Sequence, residues 1–159
     1  MIKTPVRALV VILLLVAGAS GDTPDALRMT VSLAEPLMLN VKLTWQGEAP
    51  LVVNSAWLPW GRFYGMLVVA TNSAPLSRPL ESPPRIDDPM GKQLTIQPGE
   101  SLEGRISLKE RFPSIEVAAS RHDLVVFWSY ELRSVDGRQL PRLGGWLLIP
   151  KTTSTDSHR

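Results

Sequence analysis

The chain has 159 residues, 17 Lys or Arg against 15 Asp or Glu, a formal net charge of +2, and no cysteine. Zero cysteine excludes a disulfide framework, a thiolate zinc site, a thiol nucleophile and a lipid-modified cysteine anchor. Lys3 and Arg7 are two of the 17 cations and every acid lies after residue 21, so beyond that point the two signs balance at 15 each. The basic balance therefore belongs to the N-terminus, and a nucleic-acid partner has no compositional support.

Residues 1–21 read as a secretory signal peptide. Lys3 and Arg7 form a positive start, Ala8 to Gly18 is an apolar run, and Ala17-x-Ala19 precedes Ser20. The run is well short of the ~20 apolar residues that a spanning helix needs. Cleavage is expected between Ala19 and Gly21, leaving no transmembrane anchor and a chain exported to the periplasm or beyond the cell. About 138 residues remain, enough for one domain with its own core, placed at 24–150.

The body predicts short strands. "RMTVSL" turns Met29, Val31 and Leu33 inward. "LMLNVKLTWQ" alternates cleanly, with Leu37, Leu39, Val41, Leu43 and Trp45 on one face and Met38, Asn40, Lys42, Thr44 and Gln46 on the other. That is a half-buried antiparallel strand. "LVVNSA" (51–56) follows, then the aromatic stretch "SAWLPWGRFYG" (55–65), then "MLVVATN" (66–72). Residues 72–91 carry five prolines and form a surface connection, because proline cannot donate to a ladder. "KQLTIQ" (92–97), a Pro-Gly turn at Gln97–Glu100, and "SLEGRISLK" come next, with Leu102, Ile106 and Leu108 inward. Pro113 divides 109–120, which is expected to be a turn or a single helical turn.

The last stretch predicts a hairpin around Asp136-Gly137. A two-residue loop there fixes the register. Glu131 meets Arg142, Tyr130 meets Leu143, Phe127 meets Trp146, Val126 meets Leu147 and Val125 meets Leu148. Trp128 meets Gly145, whose missing side chain leaves room for an indole. Residues 151–159 form a polar, disordered tail.

Seven or so strands with little helix predict an all-β fold, an immunoglobulin-like antiparallel β-sandwich, with a small β-barrel as the alternative. The order of an alternating strand, "PGES", "GRISL" and "DLVVFWSYEL" resembles immunoglobulin-like modules of bacterial exported proteins, of the proteinase-inhibitor type in outline. The resemblance spans 27–150 and implies a sandwich architecture. It carries no functional residue across, and the antibody-type Cys–Trp–Cys core is absent.

Catalytic patterns are missing. Neither G-x-S-x-G nor H-E-x-x-H occurs. His122 reads as a turn residue before a strand and His158 lies in the tail. Asp87-Asp88 reads as turn chemistry before Pro89, with too few ligands for a cation. Arg121, Arg133, Arg138 and Arg142 read as a solvated, partly paired face. No metal or cofactor is expected.

Two features point to binding. In the aromatic stretch, Trp57 and Phe63 are expected to cap one end of the sandwich. The alternative leaves Trp60, Arg62 and Tyr64 exposed, residue types enriched at interface hot spots. The closing hairpin is apolar on both faces, so Val125, Phe127, Trp146 and Leu148 need a cover. The expected function is a non-catalytic module binding another protein, as an accessory or inhibitor-like domain. A carbohydrate or cell-envelope-binding module is the first alternative and an unrecognised hydrolase the second.

Overall fold

The computed structural model describes residues 26–35, 37–61, 65–73, 78–83 and 90–152. The signal peptide, Arg62, Phe63, Tyr64, the Asp87-Asp88 pair and the tail from 153 onward lie outside these residues. Eight strands are present among them: β1 (Leu27–Glu35), β2 (Met38–Trp45), β3 (Leu51–Asn54), β4 (Met66–Asn72), β5 (Gln93–Ile96), β6 (Ser101–Ser107), β7 (Leu124–Glu131) and β8 (Arg142–Ile149). They form three antiparallel sheets, ordered β1-β2-β6, β3-β5 and β4-β7-β8. None closes into a barrel, and the fold is an all-β sandwich.

The alternation in β2 decides the first layer. Leu39, Val41, Leu43 and Trp45 are buried, while Asn40 and Lys42 face solvent. On β6 the inward Ile106 is buried and Glu103 and Arg105 are exposed. Lys42 pairs with Glu103 across the outer face at 3.2 Å. Between β5 and β6, Glu100 N donates to Gln97 O at 2.9 Å, with Gly99 at φ 81°. Proline followed by a left-handed glycine is the signature of a type II turn.

The second layer reproduces the hairpin register read from the sequence. Phe127 faces Trp146, Trp128 faces Gly145 and Glu131 faces Arg142. A Cβ built on Gly145 would lie 2.7 Å from Trp128 Cζ2, so the indole occupies the space that the glycine leaves open. The tight loop does not form. The ladder ends at Glu131–Arg142, and the chain beyond it pairs elsewhere: Ser134 bridges Val53, and Val135 N donates to Val52 O at 2.8 Å. Backbone groups of β3 offered the Val135 amide a better-placed acceptor than its own hairpin partner. The turn shifts back by one residue, centred on Val135-Asp136 and closed by Gly137 N donating to Ser134 O at 3.4 Å, with Gly137 at φ 78°.

This bridge explains the placement of β3 and β4. Both run antiparallel to the line of β7, β4 beside the strand itself and β3 beside its continuation. The aromatic stretch is an excursion between two segments that follow the same neighbour.

Helix is richer than expected. Pro113 does divide 109–120, but a short α1 (Leu108–Arg111) precedes it and a seven-residue α2 (Ile115–Arg121) follows. Ser107 caps α1 through its hydroxyl, which accepts from Glu110 N at 3.3 Å. Phe112, Ile115 and Ala119 bury one side of the pair in the core, so tertiary packing stabilises helices too short to form alone. His122 is the exposed C-cap of α2, its N–H donating to Ala118 O.

Candidate functional site

The aromatic stretch begins with Asn54, whose Oδ1 accepts from Ala56 N at 2.9 Å and caps a 3₁₀ turn over Ser55–Trp57. Its two roots are fixed. Tyr130 on β7 donates its hydroxyl to Trp57 O at 3.0 Å. Burial pushes the Tyr130 hydroxyl well above its ordinary pKa, so it stays protonated and remains a donor. At the far root, Arg111 of α1 donates to Met66 O at 2.7 Å. Burial lowers the pKa of this guanidinium.

Trp60 turns inward. It is half-buried, packs on the core, and its indole lies where a Cβ on Gly104 of the opposite layer would stand. Trp57 is half-buried at the root. Trp60 is thus packed rather than presented, while Arg62, Phe63 and Tyr64 lie outside the described residues.

The other candidate face is exposed over its middle and one end, while Thr71 at the opposite end is buried. Inward positions of β4-β7-β8 (Met66, Val68, Ala70, Leu124, Val126, Tyr130, Ile149) belong to the core. Outward positions line up in rows across the three strands: Thr71–Val125–Leu148, Val69–Phe127–Trp146 and Leu67–Ser129–Gly144. Phe127 is 43% exposed, Leu148 49%, Trp146 63% and Leu67 65%. The described part of the proline-rich connection does not cover them. It runs beside β4, with Leu80 N donating to Ala70 O at 2.8 Å and Leu80 packed on the core.

One end of the stripe is polar. Arg142 donates to Glu131 Oε2 at 2.8 Å, and this bond holds the Glu131 carboxyl below the usual carboxylate range, with Arg133 adding to the effect. These three residues, with Leu67, Ser129 and Trp57, border a half-open hollow of about 490 Å³. The four arginines expected on one face divide: Arg142 pairs with Glu131, while Arg138 binds Asp136 at 2.8 Å and Pro50 O at 3.0 Å.

Sequence reading missed Leu67, Val69 and the Ser129–Gly144 gap. Alternation could not assign the faces of β4, because Met66 to Ala70 are all apolar. The register of β7 against β8 was the available signal for Ser129 and Gly144, since it sets both on the Phe127 face.

No family model matches the chain, and no curated protein matches it. Among solved structures, it is similar to the crystal structure of the protein assigned as ApaA from Bordetella pertussis, with a TM-score of 0.44 and 14% identity over 80% of this chain and 95% of that one. A likeness at that level is architectural and carries no argument about function.

Proposed function

We propose that this chain is an exported, non-catalytic module that docks a protein through the outward face of β4-β7-β8. Export rests on the N-terminal pattern of Lys3, Arg7, the apolar run and Ala17-x-Ala19. Docking rests on one observation: Phe127 and Trp146 lie side by side, unburied, on the ladder of a three-stranded sheet whose other face is core. Rigid aromatic side chains on a preordered platform lose little entropy on binding, which is why such residues dominate hot spots.

Capture of partner protein from the native host tests this. Trp146→Glu is expected to abolish capture by the tagged chain and to leave its thermal midpoint within a few degrees, because the indole it removes is mostly in solvent. Capture that survives the substitution rejects the face. Glycan-array binding in place of protein capture assigns the Phe127–Trp146 pair to sugar stacking instead, a role its exposed aromatic surface also suits.

A further inference from the structure

The outward face of β4-β7-β8 carries a knob and a notch on one surface. The knob is the Trp146 indole. Two residues along the same side of β8, Gly144 has no side chain, and a Cβ there would approach only Trp128 O, at 3.3 Å. Its ladder partner is the small Ser129, and beyond it Leu67 stands up as a wall. The next row is the Glu131–Arg142 pair, bordering the hollow of about 490 Å³, which has room for an indole. An aromatic ring entering there would meet Leu67 on one side and the Arg142 guanidinium on another, a cation–π arrangement.

A knob and its matching notch on the same surface make that surface self-complementary, which is the requirement of a two-fold interface. We propose that the occupant of this face is a second copy of the chain, with Trp146 of each copy seated over Ser129 and Gly144 of the other. The proposal rests on the protein-docking reading of the face given above. Phe127 and Trp146, at 43% and 63% exposure, carry aromatic side chains that bury roughly 150–250 Å² each, and Leu67 and Leu148 flank them at 65% and 49%. Together the four supply no more than about half of the ~800 Å² per partner of a standard interface, which suits a weak, concentration-dependent dimer. Beyond residue 21 the charges balance at 15 of each sign, which sets little net repulsion between copies.

Analytical ultracentrifugation of the full chain, purified as its host processes it, tests the proposal across micromolar concentrations. A monomer–dimer equilibrium is expected. Trp146→Ala removes both knobs and Gly144→Leu fills both notches, and each should weaken association at least about tenfold. Both positions face solvent, so unchanged melting curves at dilutions where the wild type is monomeric are the folding control. Mixing the two variants should restore association above either alone, because a mixed dimer keeps one intact knob over one intact notch. A wild type that stays monomeric, or a dimer that neither variant weakens, overturns the proposal. A monomeric wild type that still captures a different protein through Trp146 overturns the second copy as occupant while the docking reading stands. Loss of both dimer and capture dependence overturns the two together.

Discussion

Replacing Trp60 with Ala is expected to lower stability by about 3 kcal/mol and the melting midpoint by roughly 10 °C. The indole spans from the aromatic stretch onto Gly104 of the opposite layer, so its removal opens a void between the layers. Gly104→Ala attacks the same contact from the other side, since its Cβ and the ring claim one space. The two changes should not add. With the ring gone, Gly104→Ala should be close to neutral or favourable, giving a coupling on the order of 2 kcal/mol in denaturant melts of the four proteins. Additive losses would mean that Trp60 does not rest on Gly104.

The second large effect separates two adjacent glycines. Gly145→Val should cost about 2–3 kcal/mol, because the added side chain meets Trp128 Cζ2, Cε2 and Nε1 at 2.7–3.2 Å and must push the indole off the core. Gly145→Ala should cost part of that. Gly144→Ala, one residue away on the outward face, should be nearly neutral, its Cβ meeting only a carbonyl at 3.3 Å. Urea melts of the three variants measure this. Equal losses at 144 and 145 would contradict the assignment of the two faces.

This pair shows what was legible in the sequence. A two-residue loop at Asp136-Gly137 was assumed, and it placed Trp128 opposite Gly145 and Phe127 opposite Trp146, as the structure has them. The loop itself was not legible. The ladder stops at Glu131 because Ser134 and Val135 pair with β3, a contact between residues far apart in sequence that no local turn signal encodes. The helices around Pro113 were hidden for a related reason. Phe112, Ile115 and Ala119 are held by the core, and their spacing alone is too short to show a period.

The candidate site divides along the same line. Val125, Phe127, Trp146 and Leu148 were legible as a second apolar face, because a hairpin with apolar residues on both sides has more apolar surface than one core can cover. Leu67 was not, since every residue from Met66 to Ala70 is apolar and neither face is marked. Trp60 was ambiguous for a different reason. A turn rich in Trp, Pro and Gly has the same composition whether its rings point out or in. Its direction is set by Gly104, a residue in another strand of the other layer.

A photoreactive amino acid placed at Phe127, with a second at Asn40 on the solvent face of the opposite sheet, tests the docking claim most directly in living cells. Protein adducts are expected from position 127 and none from position 40. Adducts formed from position 40 with position 127 silent would contradict it.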